Sequence, residues 1–171
     1  EPIELGTPAD YVAVLEAAYV QPDLSRRIQD IRSQVEVLAS AAGGHARITE
    51  DLLAEVAALV EYPVAIAGCI EDRFLRLPPE VIVSTVETNQ RYFTVFSDQA
   101  SVEGQMASAA GYLKPVFITV ANLMSRDVDQ VIAGNERVVR PRLSDAMFFW
   151  EQDRQQPLDR YAARLGSGTF Q

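Results

Sequence analysis

Apolar residues recur at steps of three and four along much of the chain, and that period marks where helices fall. Leu24, Ile28, Ile31, Val35, Leu38 and Ala42 step by 4, 3, 4, 3 and 4, the signature of one buried helix face. Asp23 stands at the N-cap position and Gly43-Gly44 closes the segment. So narrow a stripe predicts a helix lying on the surface against one neighbour, or paired as a hairpin. Before it, Thr7-Pro8-Ala9-Asp10 reads as a helix start, with Thr7 as N-cap, Pro8 at the first turn and Asp10 as the capping-box acid. Val12, Leu15 and Tyr19 give that helix an inner face, and Pro22 ends it. A third helix starts at Thr49, with Glu50 and Asp51 in its first turn. Ile48 and Leu53 form its hydrophobic staple, and Leu52, Val56, Leu59 and Val60 run down one side.

The period then changes. Pro63 to Ile70 (PVAIAGCI) is a short, nearly continuous apolar run, as in a strand covered on both faces. Asp72 to Leu77 makes a turn or short helix. Glu80 to Gln90 (EVIVSTVETNQ) is rich in branched residues, but Pro79-Glu80 opens it like a helix, and Val81, Ile82, Thr85 and Val86 share one helical face. It is read as helix. Arg91 to Phe96 (RYFTVF) alternates like a strand, and Pro115 to Asn122 (PVFITVAN) is the clearest strand of all. Between them, residues 97–114 read as a loop with a short helix near Val102 to Ala110.

Asp127 with Gln130 starts the segment on which the rest is organised, Gly134 to Arg154 (GNERVVRPRLSDAMFFWEQDR). Val139, Leu143, Ala146 and Trp150 fall on one face, with Arg137, Arg140, Arg142 and Arg154 on its flanks. Pro141 has no N–H for the Arg137 carbonyl and disfavours helical geometry at Arg140. The segment is therefore a kinked helix or two helices meeting there. A further short helix is expected from Pro157 to Leu165, then flexible Gly166-Ser167-Gly168. Helices first, then a small mixed sheet packed with helices, and a long kinked C-terminal helix make the class α+β.

With 171 residues, 48 % of them apolar, one good core is affordable. Residues 1–47 are read as an N-terminal helical pair and 48–171 as an α+β core. The formal net charge of −9 argues against a general nucleic-acid binder. The charge is uneven, however: residues 1–60 carry ten acids and four arginines, Arg126 to Arg164 seven of each. Cys69 is the single cysteine, which excludes an internal disulfide and a cysteine-based zinc site and suits a reducing, cytoplasmic compartment. It is expected to be a buried thiol in its apolar run. No run approaches the roughly 18 apolar residues of a membrane helix. The chain starts at Glu1 and stops at Gln171 without a natural boundary, as an internal fragment would.

Catalytic signals are sparse. The one histidine, His45, follows Gly43-Gly44 and reads as a solvated loop residue. There is no HxxxH, GxSxG or phosphate loop, and no catalytic residue is assigned. Asp145, Glu151 and Asp153 could ligate Mg²⁺, but Arg142–Asp145 and Glu151–Arg154 have the i,i+3 spacing of ion pairs, the reading preferred here. Phe148, Phe149 and Trp150 could stack on bases, yet three adjacent aromatics read first as core.

Four stretches resemble one family: LLAEVAALVEYPVAIAG (52–68), LPPEVIVSTVETNQRYFTVF (77–96), FITVANLMSRD (117–127) and VIAGNERVVRPRLSDAMFFWEQDR (131–154). They are similar to the β subunit of the bacterial heterotetrameric glycyl-tRNA synthetase, from about residue 48 to the end and more faintly before it. Residues 98–114 look longer than in the family, and Trp150 stands where phenylalanine is more usual. The resemblance implies a part of β similar to the editing-type domain of the phenylalanyl-tRNA synthetase β chain. It also implies an α2β2 tetramer with a separate α subunit, which holds ATP, Mg²⁺ and the class II site for charging tRNA(Gly). No cofactor is expected in this stretch. The expected role is tRNA binding and scaffolding. The candidate RNA contacts are Arg137, Arg140 and Arg142, with Arg91 and Lys114 added. The alternatives are an editing hydrolase module or a purely architectural docking module.

Overall fold

The computed structural model describes residues 6–97, 112–122 and 124–155. The helices expected near Val102 to Ala110 and Pro157 to Leu165, and the turn at Gly166 to Gly168, lie outside them. Within them run α1 (Tyr11–Ala17), α2 (Leu24–Ala41), β1 (Gly44–Ala46), α3 (Glu50–Leu59), β2 (Val64–Cys69), α4 (Pro79–Val83), β3 (Phe93–Ser97), β4 (Leu113–Ala121) and α5 (Val128–Asp153). The strands form one sheet in the order β1-β3-β4-β2. The α+β class holds, but every pairing is antiparallel, so the sheet is not mixed.

Helices cover both faces of this sheet. On one, Ile31, Val35 and Ala39 of α2 and Leu53, Val56 and Ala57 of α3 pack against Phe93, Val95 and Ile118. On the other, Val139 and Leu143 of α5 join Ile82 and Val86, Phe74, Leu77 and Phe117. Alternation along β3 and β4 sends neighbouring side chains to opposite clusters. The caps read from sequence are present. Asp23 Oδ1 accepts from Ser25 N (2.8 Å), Thr49 Oγ1 from Leu52 N (3.3 Å) and Asp127 Oδ1 from Gln130 N (3.1 Å). Helix α5 passes through Pro141 as one element.

Several local expectations are corrected. Pro8–Asp10 form a 3-10 turn, and α1 stops at Ala17, ahead of Pro22. Tyr19 then takes φ 60° and packs edge-on against Tyr62 at 5.3 Å. Val12, Tyr19 and Leu59 are exposed, because neither α1 nor the end of α3 has a layer over that side. His45 lies in β1, paired with Phe96. It is exposed and stacks on the Phe96 ring at 6.4 Å, so its segment is sheet, not loop. β4 begins at Leu113, two residues before its proline.

The outer edge of β2 is closed by side chains. Gln34 Oε1 accepts from Ala65 N (2.9 Å) and Glu136 Oε1 from Cys69 N (2.8 Å), so two edge donors are unavailable to another strand. At the opposite edge β1 is held close to β3. A Cβ at Gly44 would overlap the Phe96 carbonyl. Gly44→Ala is therefore expected to lift β1 from β3 and lower stability by about 1–3 kcal/mol, read from the urea midpoint.

Candidate functional site

The candidate cations do not converge. At 100° per residue, Arg140 and Arg142 sit roughly 160° apart around α5. Arg140 is bound to Glu71, which also holds Arg73 at 2.7 Å. Arg142 lies on the opposite flank, where its charge acts on Tyr92. Arg137 points away from the core between these flanks. Arg137 and Arg142 are exposed and, among the described residues, make no ion pair or hydrogen bond. Arg91, at φ 61°, is paired with Glu55 of α3. Lys114 is at the far end of the sheet, its Nζ 3.4 Å from where a Cβ on Gly43 would stand. There it complements the carboxyl end of α2. Of the five, Arg137 and Arg142 share a helix and are free to meet a ligand.

The aromatic triplet divides. Trp150 packs against the α5 side of the core, with the Arg154 guanidinium 5.5 Å from its ring centroid. Phe148 and Phe149 are 57 % and 62 % exposed, edge to face at 5.6 Å. The core assignment fails for these two: they lie roughly 200° and 100° around the helix from Trp150. Neither expected ion pair, Arg142–Asp145 nor Glu151–Arg154, forms. Among the described residues no cluster including Asp145, Glu151 or Asp153 could hold a metal ion. Cys69 is exposed, not buried, as the last residue of an edge strand. It borders a cavity of about 90 Å³ shared with Glu71, Glu136 and Arg140.

The most polar buried group escaped the sequence reading. After α4 the helix widens into a π turn, Ser84–Thr88, and Glu87 enters the protein with only 6 % exposure. Its Oε1 accepts from Thr94 Oγ1 of β3, and Oε2 pairs with Arg47 from the turn after β1. Arg47 N also donates to Thr94 O (2.8 Å). Burial raises the Glu87 carboxyl above its ordinary 4.5, and the bonds from Thr94 and Arg47 offset that only in part. Arg47, Glu87 and the outer side of the π turn bound a pocket of about 240 Å³ against Phe96. Nearby, burial likewise raises the Tyr92 phenol, opposed by Thr119 and Arg142. Tyr92 Oη donates to Asn135 Oδ1 (2.6 Å), which fixes α5 to the sheet. A lone Glu among valines and threonines was the available signal. Its partners lie 7 and 40 residues away.

Among the described residues, no helix is long and apolar enough to cross a membrane. A family model described as glycyl-tRNA synthetase beta subunit matches residues 1–171. The chain is 45 % identical over 169 residues to the glycine–tRNA ligase beta subunit of Azotobacter vinelandii, covering 99 % of this chain and 23 % of that one. It is 46 % identical over 169 residues to that of Chromohalobacter salexigens, with the same coverage. Against that of Hahella chejuensis it is 48 % identical over 165 residues, 96 % of this chain and 22 % of that one. The chain thus spans under a quarter of the length of these curated relatives.

Proposed function

The chain belongs to the glycyl-tRNA synthetase β-subunit family, and from that membership we propose that it is a non-catalytic, tRNA-handling part of a glycine–tRNA ligase. The parent protein would work with an α subunit, in an α2β2 tetramer in the cytoplasm, to join glycine to tRNA(Gly) with ATP and Mg²⁺. The observation that supports the local role is the outer side of α5. Arg137 and Arg142 are exposed there without carboxylate partners among the described residues, and Phe148 and Phe149 are exposed farther along the same helix. Free guanidinium groups suit phosphate oxygens, and exposed rings suit unpaired bases. Arg140 and Arg91, already held by Glu71 and Glu55, serve the fold.

In the whole enzyme, Arg137→Glu with Arg142→Glu is expected to raise the KM for tRNA about tenfold, leaving kcat at saturating tRNA nearly unchanged. The salt dependence of tRNA binding should lose about one to two units of slope. Unchanged KM and slope would remove these arginines from RNA contact. A second reading, hydrolysis of mis-acylated tRNA, draws support from the pocket at Glu87. Against it, both Glu87 oxygens already accept bonds, so no free base faces an ester there. Mis-acylated tRNA should survive incubation with the chain. The third reading, a purely architectural module, is supported by the same exposed phenylalanines. It predicts that the double arginine change weakens assembly instead of tRNA binding.

A further inference from the structure

The pocket beside the π turn has the composition of a small-ligand site: an apolar wall and a few convergent polar groups. Pro79, Val83 and Phe96 line its apolar side, and the Arg47–Glu87 pair borders it. Among the described residues only Nη1 of Arg47 is engaged by a side chain, which leaves the rest of its donor fork open to a ligand. Glu80, Ser84 and Thr88 follow at intervals of four, putting a carboxylate and two hydroxyls along one rim. All three are exposed, and none makes a side-chain hydrogen bond among the described residues. A π turn is a costly irregularity that recurs at functional sites. Here it turns Glu87 inward while leaving Ser84 and Thr88 on the rim.

Charge decides what fits. Arg47 contributes +1, Glu87 −1 and Glu80 −1, so the pocket is net negative and repels a simple anion. Yet a free guanidinium edge needs an acceptor. A ligand carrying both charges satisfies both demands, and a short aliphatic group fills the wall.

We propose that this pocket binds a free α-amino acid with a small aliphatic side chain, its carboxylate on the open edge of Arg47 and its ammonium on Glu80. The Ser84 and Thr88 hydroxyls complete the polar contacts, and Val83, Pro79 and Phe96 take the side chain. At about 240 Å³ the pocket has room for a residue the size of valine. The site differs from the α5 surface and stands whether or not that surface contacts RNA.

The test is an NMR titration of the full chain with L-valine, isobutylamine and isobutyrate, each to about 20 mM, which would nearly saturate a site of Kd about 1 mM. L-valine is expected to give saturable shifts at Ser84, Thr88 and the Arg47 guanidinium, and to bind at least tenfold tighter than either single-charge analogue. Ser84→Trp, at an exposed position, should abolish those shifts with the melting temperature unchanged. Glu80→Gln should weaken L-valine severalfold without affecting isobutyrate. No saturable shift with L-valine, equal binding of either analogue, or shifts that survive Ser84→Trp would overturn the proposal. If Ser84→Trp unfolds the chain, Glu80→Gln alone decides: unchanged L-valine affinity overturns it.

Discussion

Replacing Phe117 by alanine is expected to lower stability by about 3–5 kcal/mol, the usual cost of emptying a buried aromatic site. Phe117 is fully buried at the centre of β4. One side of its ring stacks on Tyr92 at 5.2 Å with 15° between planes. It also lies across Gly68 of β2, its register partner, where a Cβ would overlap the ring. The same side chain therefore fills the α5-side core and requires glycine on the neighbouring strand. This coupling gives a second, sharper expectation. Gly68→Ala should cost about 1–3 kcal/mol in the wild-type chain by overpacking. In the Phe117→Ala background it should cost much less, because the space is then free. Urea unfolding of the two single variants and the double variant measures the coupling. Strictly additive losses would mean that the ring does not hold Gly68 in place.

The layers of the fold were legible where the signal is local. The 4-3-4-3-4 stripe of α2 and the caps at Asp23, Thr49 and Asp127 depend on neighbours in sequence, and these came through except for Leu24, which is exposed at the start of the helix. What failed depends on distant partners. β1 has no apolar alternation of its own and is a strand because β3 lies beside it. Cys69 sits in an apolar run, but it ends an edge strand with solvent beyond it. Phe148 and Phe149 show a different failure. The helical count that turns Trp150 inward turns them outward, so hydrophobicity alone does not place them in the core. Of the candidate cations, sequence could locate the arginines of α5 but not their partners. Glu71 lies 69 residues from Arg140, so only the tertiary structure separates the tethered arginine from the free ones. The Glu87 cluster was out of reach for a related reason. An α-helical count from Ile82 reaches Val86, whereas the wider π turn brings in residue 87 as well.

That buried acid supports the last expectation. Glu87→Ala removes the acceptor for both Thr94 Oγ1 and Arg47 and leaves a void between β3 and the π turn. Breaking a buried, hydrogen-bonded pair this way should cost about 2–4 kcal/mol, or a fall in Tm of roughly 2–4 °C for each kcal/mol. Glu87→Gln separates charge from shape, since an amide oxygen can still accept from Thr94. Because burial raises the folded-state pKa above 4.5, the native chain binds this proton more tightly than the unfolded chain does. Stability from this group is therefore greatest at low pH and declines as pH rises from the unfolded value through the folded one. Compared with wild type, Glu87→Gln should lose that decline. The difference in unfolding free energy between the two chains should shift in favour of Gln as pH rises from 4.5 towards 7. Other carboxylates titrate alike in both and cancel. A difference that stays flat over this range would show that Arg47 and Thr94 offset burial in full. The pair would then be a settled structural tie, and the acid beside the pocket would carry its charge at no cost to the fold.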